Sequence, residues 1–135
     1  MPYTVTFIQK PMYLHAIVTG VNSKENVIGY LNDIRRECID RGCARLLIEE
    51  RLEGPRLGTT AVFQIAVDGT TRAQGLFQAI AYVDVNAEGD LMKFAEVVAD
   101  NRALRIAVFS SVSDAEKWLL EEGGAGRIDA SAPKD

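Results

Sequence analysis

The stretch LLIEERLEGPRLGTTAVFQIAV, residues 46–67, decides the fold class of this chain. It begins as an apolar run typical of a buried strand and breaks at Gly54-Pro55. It resumes as an apolar segment, residues 61–67, that is polar only at Gln64. A buried strand followed by a largely buried helix is typical of a parallel sheet with helical crossovers. Two adjacent threonines, Thr59 and Thr60, lie where the helix is predicted to begin.

The same alternation of strands and helices extends along the rest of the chain. Residues 3–8 and 13–19 are rich in β-branched and aromatic residues, with a Lys10-Pro11 turn between them. So short a connection predicts an antiparallel hairpin, because a parallel crossover needs about a dozen residues or more. Further strands are predicted at residues 44–49, 78–86 and 105–110, and helices within residues 22–42, 59–72, 90–104 and 111–122.

These elements predict a single α/β domain with the order β-β-α-β-α-β-α-β-α. The sheet is expected to be mixed and mainly parallel, with five strands, of which the first is antiparallel, and with four helices. We expect the domain to span residues 1–122. Residues 123–135 are small, polar and contain Gly, Ala and Pro, which predicts a flexible tail.

Capping residues mark the starts of two helices. Asn22 and Glu25 have the spacing of a capping box, and Ser23 is an equally good N-cap for the first helix. Ser113 and Glu116 have the same spacing at the last helix, which predicts a second capping box there.

The composition is that of a globular domain, with 135 residues of which 47% are hydrophobic and 25% charged. The net charge of −4 predicts no binding to nucleic acid, and no apolar run approaches the roughly 18 residues of a membrane span. The chain starts without a basic-apolar leader, and Cys38 and Cys43 lack CxxC spacing, so we expect a cytoplasmic protein with reduced thiols. One histidine without short-spaced ligand partners predicts no metal site and no cofactor.

The order of elements resembles the STAS family, together with the segments AIVTG (residues 16–20) and LLIEE (46–50), each of which leads into a helix. This is the domain of bacterial anti-sigma-factor antagonists and of the cytoplasmic ends of sulfate transporters. The end of the chain, FAEVVADNRALRIAVFSSVSDAEKWLLEE (94–122), is similar to the bacterial STAS-like branch grouped with lipid-binding CRAL-TRIO domains. The resemblance covers about residues 3–122. It implies helices mostly on one face of the sheet and a non-catalytic regulatory module whose partner is a protein such as a kinase or an anti-sigma factor.

The resemblance also bears on Thr59 and Thr60. STAS antagonists carry Asp-Ser at the start of the helix after the third strand, and a partner kinase phosphorylates that serine. The matching place here reads Leu57-Gly58-Thr59-Thr60, without the Asp-Ser pair. A threonine could replace the serine, because a helix start stabilises a phosphate through its free N–H groups and partial positive charge. The alternative is that one threonine caps the helix and has no further role.

Six further candidate residues are predicted to share a sheet face that the helices leave open. Alternation along three strands groups Tyr13, His15, Arg45, Glu49, Tyr82 and Asp84. A histidine with an aspartate and a tyrosine can perform acid–base chemistry, so one alternative is an enzyme that uses His15, Tyr82 and Asp84. The other interpretation is a half-solvated face of mixed polar groups. An open sheet also predicts a homodimer through this face or an edge strand.

The kinship with CRAL-TRIO domains suggests one more alternative, a carrier of a lipid or another small apolar ligand. Such a carrier needs an apolar pocket, and we expect it under the loop of residues 51–58 and the apolar helix that follows.

Overall fold

The computed structural model describes residues 3–54, 58, 60, 64–65, 67–68, 77–84 and 105–121. Within these residues the chain forms one sheet and two complete helices, numbered here in chain order: β1 (Tyr3–Gln9), β2 (Leu14–Val21), α1 (Lys24–Arg41), β3 (Arg45–Glu53), β4 (Ala79–Asp84), β5 (Ile106–Phe109) and α2 (Val112–Glu121). Each coincides with a predicted element. The boundaries differ most at β3, which continues to Glu53 instead of ending at Glu49.

The second predicted helix is described in part. Its residues Thr60, Gln64, Ile65, Val67 and Asp68 are helical. The helix predicted over residues 90–104 and the tail predicted over residues 123–135 lie outside the described residues.

The strands form a sheet in the order β1-β2-β3-β4-β5. β1 and β2 are antiparallel, whereas β2, β3, β4 and β5 run parallel to their neighbours. The backbone N–H of Lys10 closes the first turn by donating to the carbonyl of Tyr13 at 2.9 Å. This pairing confirms the predicted mixed, mainly parallel sheet with an antiparallel first strand. β1 is antiparallel to β2 because the connection between them is too short for a crossover.

α1 begins where a serine side chain satisfies a free backbone N–H. Oγ of Ser23 accepts a hydrogen bond from the backbone N–H of Asn26 at 3.1 Å, and Ser23 itself has extended backbone. Of the two caps that the sequence allows, Ser23 is therefore the N-cap and Asn22 is not. Gly42 ends the helix with a left-handed φ of 68°, a conformation that favours glycine.

α2 is capped one residue before its first turn. Oγ of Ser111 accepts from the backbone N–H of Asp114 at 3.2 Å. The capping box predicted from Ser113 and Glu116 is therefore wrong, because Ser113 already lies inside the helix, where its own backbone is helical.

Both faces of the sheet are buried against helices. Alternate residues of the central strands form a core with α1, and its sheet members are Leu14, Ala16, Val18, Leu46, Ile48 and Ile80. Ile65 of the helical stretch after β3 packs on this same core. The intervening residues form a second core with α2, composed of Tyr13, Leu47, Ala79, Ala81, Val83, Ala115 and Leu119. The sheet face that we expected to be open is thus covered by α2, because the central strands are apolar on both sides.

Replacing Ser23 by alanine removes the cap of α1 and is expected to lower the free energy of unfolding by about 1 kcal/mol. Because α1 packs Tyr30, Ile34 and Cys38 into one core, the loss should appear in global unfolding, measured by urea denaturation. The control is Ser113→Ala, at an exposed serine inside α2, which should change the free energy of unfolding by less than about 0.5 kcal/mol. Equal losses in the two variants would contradict the assignment of Ser23 as the cap.

Candidate functional site

His15 lies on the α2 face of the sheet and is paired with a glutamate of the neighbouring strand. It is 7% exposed, and its Nε2 lies 2.9 Å from Oε1 of Glu49 on β3. The other carboxylate oxygen of Glu49 accepts from Nε and Nη2 of Arg51, each at 2.7 Å. The Arg51 side chain is 59% exposed, whereas the glutamate side chain is 12% exposed. These three side chains therefore form a hydrogen-bonded chain from the buried sheet to the surface.

Tyr13 and Arg45 lie on the same face and have other partners. The hydroxyl of Tyr13 donates to Glu116 of α2 at 2.7 Å, and burial together with this carboxylate raises the pKa of Tyr13. Nε of Arg45 donates to the side chain of Gln78, just before β4, at 3.1 Å. Four of the six residues predicted to share a face thus do so, and two of the four, a histidine and a glutamate, are in direct contact.

Tyr82 and Asp84 lie on the opposite face, so His15 does not share a face with them as the alternative enzyme site required. Tyr82 pairs in register with Ile48, which belongs to the α1 core, and Asp84 pairs with Glu50. Residues paired across neighbouring strands project to the same side of a sheet. Alternation along one strand sorts that strand's residues into two sets, but it does not say which set matches the next strand.

The α1 face carries its own group of tyrosines and carboxylates. The fully buried Tyr30 donates its hydroxyl to the carboxylate of Glu50. Burial raises the pKa of Tyr30 first, and the charges of Glu50 and Asp84 add to it; burial and Glu50 also raise the pKa of Tyr82. Alternation along the strands did not predict this group. The signal for it is in the sequence, since Tyr30 lies three residues after Val27 and four before Ile34, the spacing of residues on one face of a helix.

A groove of about 490 Å³ runs between β1 and α1. It is lined by Tyr3, Thr4, Val5, Phe7, Asp33, Arg36, Glu37 and Asp40. The hydroxyl of Tyr3 donates to Asp33, and this hydrogen bond is the main cause that raises the pKa of Tyr3 to about 12. The groove does not test the predicted apolar pocket under residues 51–58, because residues 55–57 lie outside the described part of the chain. The carrier function therefore stays a prediction.

Thr60 is exposed and helical. Thr59 lies outside the described residues, so the expectation that at least one of the two threonines caps the helix stays a prediction. Gln64 lies four residues after Thr60 in the sequence, the spacing of neighbours on one face of an α-helix, and both residues are helical. Nζ of Lys24, in the first turn of α1, donates to Oε1 of Gln64. This hydrogen bond ties the helical stretch that contains Thr60 to the start of α1.

The two cysteines, Cys38 and Cys43, are free, and burial is the main cause that raises the pKa of Cys38 to about 12. The part of the chain that the structure describes contains no cluster of three or more His, Cys, Asp or Glu side chains that could hold a metal ion. Over the same residues, no helix combines the length and the apolar character that crossing a membrane requires.

The fold is similar to that of a solved crystal structure from Shewanella loihica PV-4, an uncharacterized protein of the DUF3478 family with a SpoIIAA-like fold. The two chains are 16% identical, the TM-score is 0.54, and the alignment covers 87% of this chain and 94% of that one. The similarity shows the fold: this chain has the SpoIIAA-like fold, which is the STAS-like fold expected from the sequence. No protein-family model matches the sequence, and no curated protein matches it.

All four tyrosines of the chain have raised pKa values, which predicts an abnormal alkaline titration. A tyrosine whose pKa is higher in the folded state stabilises the fold fully below the unfolded value of about 10, and this contribution is lost as the pH rises above it. We expect little tyrosinate absorbance in the native protein near pH 10, followed by ionisation that accompanies unfolding at higher pH. The chain in concentrated urea is the control and should ionise near pH 10. A native titration that matches the urea titration would contradict the buried tyrosine–carboxylate pairs.

Proposed function

We propose that this protein is a non-catalytic regulatory module that binds a protein partner, and that Thr60 controls the binding. The observation that carries the proposal is that Thr60, in the helical stretch after β3, is exposed. At this place the STAS family, which the sequence resembles, has its phosphorylated serine. A kinase can reach an exposed side chain without unfolding the domain.

The side chains able to perform acid–base chemistry support a structural role instead of a catalytic one. His15 contacts Glu49 on one face of the sheet, and Tyr30 contacts Glu50 on the other. The two groups are separated by the sheet and do not converge on one space where a substrate could meet both. Each contact joins two elements of the fold, which is what buried polar side chains need to offset their desolvation.

A phosphate on Thr60 would have a cation within reach. Lys24 contacts Gln64, on the same helical face as Thr60 and one turn along. A phosphate adds about two negative charges and three strong acceptor oxygens, so it can attract the ammonium group of Lys24 away from the neutral Gln64 amide. The surface between the start of α1 and the helical stretch would then change its charge and its contacts together.

We expect Thr60→Glu to change the set of proteins that the chain retains, while the melting temperature stays nearly unchanged, because a carboxylate is tolerated near a helix start. The measurement is affinity purification from cells of the source organism with quantitative mass spectrometry, alongside thermal unfolding of the purified variant. Thr60→Val should retain the same proteins as the unmodified chain and should not respond to kinase treatment.

The matched control is Ser113→Glu, which places the same charge on an exposed residue in the first turn of α2. It should leave the retained proteins unchanged. Identical protein sets for the unmodified chain and Thr60→Glu would argue against control by Thr60. A change that Ser113→Glu reproduces would show a general effect of charge.

A further inference from the structure

β1 lies at the edge of the sheet, and among the described strands it pairs only with β2. In an antiparallel pair, every second residue directs its N–H and C=O away from the partner strand, so β1 presents a row of backbone groups to its other side. Natural edge strands avoid unwanted pairing through short length, charges or proline. β5, at the opposite edge, is four residues long. β1 reads YTVTFIQ over seven residues and contains no charge, proline or glycine.

The groove described above lies directly beside this edge. Its apolar floor comes from alternate residues of β1, and its wall comes from one flank of α1; the residues that matter are Tyr3, Val5, Phe7, Asp33, Glu37 and Asp40. The volume of about 490 Å³ is within the range of ligand sites, roughly 300–1,000 Å³. A strand added to β1 would direct every second side chain into the groove, because side chains alternate between the faces of a sheet.

The wall of the groove is acidic. Three carboxylates and the guanidinium of Arg36 line it, and the guanidinium of Arg41 lies over the ring of Phe7 at 5.7 Å, which gives a formal charge of 2 − 3 = −1. Glu37 is paired with Arg41 at 2.6 Å, and Arg36 lies 3.9 Å from Asp33. Asp40 is exposed and makes no ion pair within the described residues. The side chains best suited to this wall are therefore cationic.

We infer that β1 binds an extended segment of a partner protein by strand addition, and that this segment carries lysine or arginine at every second position. The backbone of the segment pairs with the outer side of β1, and its cationic side chains lie against the flank of α1. The inference rests on the proposed function only in requiring a protein partner, since Thr60 is not among the residues that line the groove beside β1.

A second copy of this chain suits the edge less well. Antiparallel pairing of two β1 strands about a two-fold axis would place both α1 helices on the same side of the joined sheet. The acidic flanks, with Asp33, Glu37 and Asp40 in each copy, would then face each other across the new strand pair. Like charges that face each other across an interface oppose association, whereas a cationic segment removes the conflict.

The test uses the full chain and a synthetic peptide as long as β1, with alternating threonine and lysine. Titration followed by amide NMR should show shifts in β1 and along α1, and a glutamate version of the peptide should not bind. Two further peptides carry backbone N-methyl groups, one at the lysines and one at the threonines. N–H groups of alternate residues point to opposite edges of a strand, so one methylated peptide should bind at least about tenfold more weakly and the other should bind normally.

Asp40→Lys is expected to lower the affinity for the lysine peptide by about three- to tenfold, because it replaces an attraction at the rim of the groove by a repulsion. Glu121→Lys, the same charge change at an exposed residue of α2, is the control and should not alter binding. The inference would be overturned if the two methylated peptides bound equally well. It would also be overturned if the lysine peptide bound Asp40→Lys and Glu121→Lys equally well. Self-association that the peptide cannot displace would also overturn it and would assign β1 to a second copy.

Thr60→Glu separates this inference from the proposed function. The peptide should bind the unmodified chain and Thr60→Glu equally. Peptide binding together with an unchanged protein set for Thr60→Glu would support strand addition and count against control by Thr60. If Thr60→Glu changes the retained proteins and the peptide does not bind, the result would support control by Thr60 and count against strand addition.

Discussion

Burial of β3 on both of its faces is the constraint on which the rest of the structure depends. Three consecutive residues, Leu46, Leu47 and Ile48, are almost completely buried, and their side chains alternate between the α1 core and the α2 core. Glu49 and Glu50 follow in the same alternation, so their side chains lie on opposite faces of the sheet. Glu49 meets His15 and Arg51 on one side, and Glu50 meets Tyr30 on the other. A carboxylate beside a buried core needs such partners, because its desolvation is otherwise costly.

Tyrosines connect the helices to the sheet. Tyr3 and Tyr30 contact carboxylates across the interface between α1 and the sheet, and Tyr13 contacts Glu116 of α2. A tyrosine suits this position because its ring fills the core while its hydroxyl reaches a polar group at the margin. The raised pKa values follow from the same arrangement. Burial is the main cause for Tyr13 and Tyr30, and the hydrogen bond to Asp33 is the main cause for Tyr3; in each case ionised tyrosine would also place a second negative charge beside a carboxylate.

The two surfaces proposed for binding lie where this internal pairing ends. The central strands use their polar side chains within the fold, whereas Thr60 and the outer side of β1 lie at its margins. The two edges of the sheet differ in kind: β5 is short, and β1 is longer, uncharged and flanked by an acidic helix surface. An edge strand without charge or proline, such as β1, is suited to pairing with a strand of another chain. Such pairing needs no rearrangement of the packed interior.

The sequence by itself determined the hairpin, the parallel strands, α1 and α2, because short connections and hydrophobic periodicity are local properties. Alternation also determined that Tyr13 and His15 project to one side of the chain, and that Arg45, Leu47 and Glu49 project to one side of their strand, but it did not determine that these two sides match. The sequence left two candidates for the N-cap of α1, and for α2 it predicted Ser113 where Ser111 is the cap. The cap is the last residue before the backbone becomes helical, and that residue depends on how the chain enters the helix. Only the tertiary structure decided that Tyr82 and Asp84 lie away from His15, that Glu49 is the histidine's partner and that α2 covers their face. Register between strands is set by packing across the whole sheet, and a shift of one residue exchanges the two faces of a strand.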